Sequence, residues 1–574
     1  MLLVARDWLL FAVVVLGGGA ALAPSRRWFP PLEAWCVGIA ATLALLALGV
    51  SVAFVAGLPN AWFATGFLVV AALAIRRRRA VVDLARDPDI REAALTWTLL
   101  SLACVALLAC VASYNGGMWM GDWEEQYQRP LLFLRERQDD AAFRSLVVFT
   151  GRPPLANLAD ASFLWITGSG FAHHQVFMLL LGTLAFFPTV LFARTCGGGR
   201  ATAALVACLL LLNPMFLQNS TYAWTKLVTV FFTLAGLHLL LTDGHARPRV
   251  VIGFAILGLA VLTHYSACVW FLAFGFAWLL TARPLWREPA FRRTVALSAA
   301  VFAAVLAPWI AYAVARYGLT ATLASNTSAT TAAQFTWWEN LASTVPKLWA
   351  TLVPHPLRDF DRSILAQTNP WTLFRDQVFY VYQSNLFFAA GTPTLLALGW
   401  LLGRRAAPPL PRLWLIALPI VIVLGTAVHG HIDYWGVAHI CLQPLVLLGL
   451  AVAAARLPDL LRGPAARVLA ALLALAAVAD FVLGIALHYA GAALQLNRAP
   501  GENILVYAKS LNVGAQHNLW QKVRLGQDWV ADAFPLPWWH ALAVFAAFTV
   551  FLALRAHRLA RVSPPACAAT STPS

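Results

Sequence analysis

Apolar runs separated by short polar breaks dominate this chain. Runs long enough to cross a bilayer, or nearly so, recur about fifteen times by the usual requirement of roughly 17 to 25 residues. They begin with Trp8–Leu22, Ala34–Val55, Ala61–Ile75 and Ala94–Tyr114 and end with Val468–Leu487 and Trp538–Leu554. The pattern predicts an all-α integral membrane protein, with external loops carrying short juxtamembrane helices. The opening run has the outline of a cleaved leader, but only Arg6 precedes it and many spans follow, so it reads as a retained helix.

The polar breaks carry a second pattern. With the N-terminus outside, alternate breaks hold Arg26–Arg27, Arg76–Arg79, Arg194 and Arg200, Arg247 and Arg249, Arg283–Arg293, Arg404–Arg412, Arg456–Arg467 and the tail Arg555, Arg558 and Arg561. By the positive-inside rule that face is cytoplasmic. The other face receives the long loops 115–174 and 317–382, the segment after 488 and the short turn His429–Gly436, where Asp, Glu, His, Trp and Tyr gather. The chain divides into added helices over 1–93, which show no intramembrane polar residue that suggests a site, and a core over 94–490. A final external segment with one more helix covers 491–561, and a disordered tail covers 562–574.

Composition agrees. The chain has 574 residues, 60% hydrophobic and 11% charged, with a mean hydropathy of +0.71, which excludes an ordinary soluble domain. The net charge of +16 comes from arginines between apolar runs, so it reads as topology rather than nucleic-acid binding. Most of the eight cysteines lie in or beside apolar runs and form no disulfide or zinc spacing. No phosphate-binding glycine loop occurs, which argues against an ATP-driven pump.

Candidate chemistry starts at Gly121-Asp122-Trp123-Glu124-Glu125-Gln126-Tyr127, three carboxylates just beyond an apolar run. Acids there are either solvated charges or groups placed where a lipid-borne and an aqueous reactant meet. Asp122 and Glu125 share a face if the segment is helical. Lys226 lies just inside the external end of the helix expected from Thr221, either snorkelling or holding an anion. Arg152 is a second external cation, with lipid headgroups or Asp160 as its alternative partners. His264-Tyr265 occupy an external turn. His429, His431, Asp433 and His439 form another, a pattern open to an acceptor, a phosphate or a divalent metal as well as to a hydrogen-bonded turn. Trp337-Trp338-Glu339, Trp349 and Trp371 are either interfacial anchors or sugar-stacking aromatics.

The loop Gly-Gly-Met-Trp-Met-Gly-Asp-Trp-Glu-Glu-Gln-Tyr-Gln-Arg, continuing to Gly151-Arg152-Pro153-Pro154-Leu155, resembles the first external loop of the polytopic C-type-fold glycosyltransferases. That superfamily includes protein O-mannosyltransferases and bacterial aminoarabinose transferases. Asn213-Pro214 and Tyr222-Ala-Trp224-Thr225-Lys226 resemble the family's Pro-containing turn and the polar start of the next helix. The likeness covers roughly Ala94 to Leu280. It implies a bacterial inner membrane enzyme, active on the periplasmic side, that moves a sugar from a polyprenyl-phosphate donor to a hydroxyl of a glycan, lipid or protein. No cofactor is required.

Many relatives have adjacent Asp-Glu, whereas here Trp123 intervenes, leaving the base open among Asp122, Glu124 and Glu125. Asp122 matches the family's usual position. The implied phosphate-binding set is Lys226, Arg152, His264, Tyr265 and Tyr127. The rival readings are a lipid-linked polysaccharide polymerase or ligase, which needs no acidic motif in the first core loop, and a lipid-linked sugar transporter. The transporter would want charges near mid-membrane.

Overall fold

In the computed structural model, the residues described are 1–111, 122–136, 149–242, 246–324, 336–343, 439–460, 528–534 and 536–562, with isolated positions between 345 and 493. Among them all regular elements are helical. Six helices are long and apolar enough to span a membrane: Leu2–Leu22, Pro31–Val55, Pro88–Leu108, Phe171–Thr195, Pro289–Tyr317 and Trp538–Arg561. Asn60–Arg76, Lys226–Leu241, Ala267–Leu280 and Gln443–Ala455 are shorter apolar helices. The described residues therefore carry fewer full-length spans than the fifteen runs suggest. The expected runs Leu386–Leu402 and most of Leu413–Val428 and Val468–Leu487 fall outside the described residues.

Local chemistry accounts for much of the remaining difference. The run Ala201–Phe216 breaks into two helices bent by 78°, because Asn213 accepts a hydrogen bond from the Phe216 amide at 2.8 Å and Pro214 opens a new helix. The next helix starts at Lys226 rather than Thr221, after a short connection through Tyr222, Ala223, Trp224 and Thr225.

Helix α1 (Leu2–Leu22), which contains a π-helical turn at Ala12–Gly17, packs on α2 (Pro31–Val55) through glycines. A Cβ built on Gly38 would come within 1.9 Å of the Gly19 carbonyl oxygen, so only glycine permits this approach. Helices α3 (Ala64–Arg76), α4 (Arg78–Arg86) and α5 (Pro88–Leu108) complete this part, with Asp87 capping α5 through the Asp89 and Ile90 amides.

The view that residues 1–93 lack noteworthy intramembrane polar groups is corrected here. Asp7 is fully buried and bonded to His173. Glu33 is buried in a bidentate pair with Arg249 at 2.5 and 2.9 Å, with His238 Nδ1 3.1 Å away. Sequence inspection passed over both acids because their partners lie about 165 and 215 residues away.

Next come α6 (Asp122–Phe133), α7 (Leu155–Thr167), α8 (Phe171–Thr183) and α9 (Phe186–Thr195), the last two forming one span that is buried throughout. They are followed by α10 (Thr202–Leu211), α11 (Pro214–Thr221), α12 (Lys226–Leu241), α13 (Arg247–Thr263), α14 (Ala267–Thr281) and α15 (Pro289–Tyr317). Short α16 (Leu319–Ala324) and α17 (Trp337–Ala342) precede α18 (His439–Leu460) and α19 (Trp538–Val562). One apolar core runs from Val4 to Leu552. Leu68, Leu272, Phe276 and Ile310 project outward, as a lipid-facing surface requires.

The described arginine clusters gather at one end of the bundle. Arg77 donates to the Ala21 and Ala23 carbonyls at 2.9 Å, Arg249 to the Trp28 carbonyl at 3.3 Å, and Arg194 to Asp89 at 2.9 Å, while Arg555 pairs with Glu92. Lys226 and His238 mark opposite ends of α12. The former therefore lies away from this arginine-rich end, and the latter lies within it beside Glu33.

Candidate active site

Helix α6 has the sequence Asp-Trp-Glu-Glu-Gln-Tyr-Gln-Arg-Pro-Leu-Leu-Phe, and residues four apart give it two buried faces. Trp123 and Tyr127 form the first. Both rings meet Phe171, with centroids 5.2 and 5.0 Å away, and the Tyr127 hydroxyl donates to the Ser169 carbonyl at 2.6 Å. Beside them the Asn157 amide of α7 donates to the Gln126 side chain at 3.1 Å. These contacts fix the helix against α7 and α8. Tyr127 is thereby engaged with the α7–α8 turn and with His174, rather than with the charged cluster below.

Glu125 and Arg129 form the second face. Arg129 donates to Glu125 Oε1 from Nη2 at 2.6 Å and from Nε at 3.2 Å, and its Nη1 donates to the Phe149 carbonyl at 2.7 Å. Arg152 Nε lies 3.1 Å from the same Oε1. Side chains of Glu125 and Arg129 are 2% and 1% exposed, whereas Arg152 is 21% exposed, so Arg152 is the member that reaches open space. Two guanidiniums and one carboxylate leave the cluster at +2 − 1 = +1. Burial pulls the Arg129 guanidinium below its ordinary value, and the Glu125 carboxylate opposes this.

Tyr265 joins from the turn between α13 and α14. Its hydroxyl donates to the Thr150 carbonyl at 3.2 Å and faces the Trp309 indole N–H at 3.4 Å. Burial pushes its phenol up. Neighbouring His264 accepts the Ser266 amide at Nδ1, 3.2 Å away, which shapes the turn. The segment 149–152 thus carries Arg152, holds Arg129 and receives Tyr265.

Lys226 begins α12, is 4% exposed and places Nζ 3.0 Å from the centre of the Trp224 ring. It does not reach the protein surface as a snorkelling lysine would, and the indole face supplies part of the charge stabilisation lost on burial. Asp160 is not the partner of Arg152. Fully buried, it bonds to His174 Nδ1 at 2.6 Å, and burial raises its carboxyl above the usual range.

Asp122 is the first residue of α6 and Glu124 lies in its first turn, so Asp122 and Glu125 have the expected i,i+3 relation along the helix. The side chains of Asp122 and Glu124 are outside the described residues, as are His429, His431 and Asp433 and the side chain of His439, which begins α18. Among the described residues no group of three or more His, Cys, Asp or Glu is placed to hold a metal ion. Trp338 is exposed on α17, whose start Thr336 and Glu339 cap reciprocally. Trp349 and Trp371 lie outside the described residues.

Sequence reading missed Arg129. The signal was present, because Glu and Arg four apart at the start of a helix form an ion pair on one face. It missed Trp224 as the seat of Lys226, since two residues separate in sequence what the bend before α12 brings together.

No family model matches the sequence, and no curated protein matches it. Solved structures do. ArnT from Cupriavidus metallidurans bound to undecaprenyl phosphate is 15% identical with a TM-score of 0.44, covering 80% of this chain and 77% of that one. The apo state of the same protein is 17% identical at 0.44, covering 82% and 78%. The fold is also similar to that of the archaeal oligosaccharyltransferase AglB from Archaeoglobus fulgidus, in complex with an inhibitory peptide and a dolichol-phosphate, at 14% identity and a TM-score of 0.42, covering 80% and 68%.

Proposed function

We propose that the chain is a membrane glycosyltransferase that moves a sugar from a polyprenyl-phosphate donor to an acceptor hydroxyl on the external face. The observation that carries this reading is the Glu125–Arg129–Arg152 cluster. It is a buried carboxylate between two guanidiniums, with net charge +1, on the same helix as Asp122. The sequence resemblance described above supplies the donor class.

In this reading Asp122 takes the proton of the acceptor hydroxyl as its oxygen bonds to the anomeric carbon. The anomeric C–O bond to phosphate breaks with inversion, and the electron pair leaves on the lipid phosphate. A phosphate departs as an anion without a proton, so one carboxylate base suffices, whereas a glycosidase uses two. Arg152 and Lys226 hold the departing charge, and Tyr265 lines the same side. Glu125 is a positioning residue that fixes Arg129 and Arg152. No metal enters the scheme, and His429, His431, Asp433 and His439 are assigned to the acceptor side.

The test is sugar transfer, scored separately from sugar movement, by the purified protein in liposomes with a polyprenyl-phosphate donor. Asp122→Asn keeps the side-chain shape but accepts no proton and should lose at least about 100-fold in turnover. Glu125→Gln should be milder in turnover and act mainly on donor KM. Full activity in Asp122→Asn with a dead Glu125→Gln would move the base to Glu125. Movement of lipid-linked sugar across the bilayer with no transfer product would replace the enzyme by a transporter.

A further inference from the structure

The arginine-rich end of the bundle carries a feature independent of the reaction. Between the end of α1, the start of α2 and helix α4 lies a cavity of about 230 Å³, walled by Ala20, Ala23, Pro24 and Leu84 and rimmed by Arg26 and Asp83. Its shape is held from within. Arg77 fastens the strap after α1 through two carbonyl hydrogen bonds at 2.9 Å, and the buried Arg249 reaches the Trp28 carbonyl at the strap's far end.

Around the rim the charge is one-sided. Arg26, Arg27, Arg76, Arg78 and Arg79 are all exposed, and among the described residues none of them pairs with a carboxylate. The acids on these elements do not cancel them. Asp83 is exposed at the rim, Asp87 is used in capping α5, and Asp89 is paired with Arg194. Trp28, 43% exposed, lies beneath the Arg27 guanidinium, 5.1 Å from its ring centre, and Ile75 is 72% exposed beside Arg76. Unpaired guanidiniums, an exposed indole and an apolar-walled recess together match a phosphodiester joined to hydrocarbon. Basic recesses among membrane helices take anionic lipid headgroups for the same reason.

We infer that this recess is a binding site for an anionic phospholipid, with the phosphodiester held by Arg26 and the Arg78–Arg79 pair and the glycerol end of the acyl chains against Ala20, Pro24 and Leu84. The purified full-length protein, titrated in detergent with phosphatidylglycerol or phosphatidylcholine and read by native mass spectrometry, tests it. The expected result is phosphatidylglycerol retained at least ten-fold more strongly than phosphatidylcholine. An Arg26→Gln, Arg78→Gln, Arg79→Gln variant should lose this preference, and the three Lys substitutions should keep most of it.

The control variant Arg287→Gln, Arg292→Gln, Arg293→Gln removes the same charge from other exposed arginines and should leave the preference intact. Equal retention of the two lipids would overturn the site, as would an equal loss in the control variant. Displacement of phosphatidylglycerol by millimolar inorganic phosphate would also overturn it, in favour of a soluble anion. A gel-filtration profile unchanged from the parent confirms that the variants are folded, and a collapsed profile would shift the comparison to the single Arg26→Gln variant.

Discussion

Lys226 is where the residue scale decides most. A lysine at a helix end is open to two roles in sequence, but a lysine 4% exposed with its ammonium 3.0 Å from an indole centre is a fixed charge. Its indole contact is worth about 0.5 to 2 kcal/mol, which offsets only part of the burial cost. An anion bound in turnover would offset more. Lys226→Met keeps the stem and should lose ~2 to 4 kcal/mol of transition-state stabilisation, roughly 30- to 1,000-fold in kcat/KM. Lys226→Arg should recover part of it. Turnover measured against donor concentration checks this, and near-parental activity in both variants would leave Lys226 as a packing residue. The Asp122 assignment belongs to this scale too. It rests on sequence position and on the helical i,i+3 relation to Glu125, whereas Glu125 is already occupied by two guanidiniums.

Helices here meet through small residues, and this sets the element scale. The Gly19–Gly38 contact between α1 and α2 leaves no room for a methyl group, and α12 and α13 approach similarly, with a Cβ on Gly236 falling 2.8 Å from Leu257 Cγ and 3.0 Å from the Gly253 carbonyl. In lipid, where apolar burial gives little drive for helices to associate, close packing matters more. Gly38→Ala should therefore destabilise by about 1 to 3 kcal/mol, more than Gly236→Ala, because the obstacle at Gly38 is backbone and the first at Gly236 is a leucine tip. Thermal unfolding in detergent ranks the two. The reverse order would mean that α1 slides on α2 more easily than this contact implies.

Across the whole molecule, the described arginine clusters at one end and the Glu125 cluster at the other reproduce the alternation expected from charge. The prediction is that the Glu125 end faces outside. In a Cys268→Ala background, an impermeant thiol reagent applied to intact cells should label a cysteine at Glu136 and not one at Arg78. Labelling at Arg78 alone would invert the map and move the site to the other face.

The sequence by itself determined the membrane class, the helical character, the alternation of arginines and the position of the acidic segment. Each depends on local composition, and a bilayer selects on composition directly. It also held the Glu125–Arg129 pair, readable from helical spacing once α6 was accepted as a helix. Only the tertiary structure decided the rest. Arg152 pairs with Glu125 instead of Asp160, Tyr127 turns to Ser169, Lys226 rests on Trp224, and the first helices bury Asp7 and Glu33 against partners far along the chain. A buried charge is stable only beside an opposite charge or a set of dipoles, and which one it meets depends on helices that sequence spacing leaves unconnected.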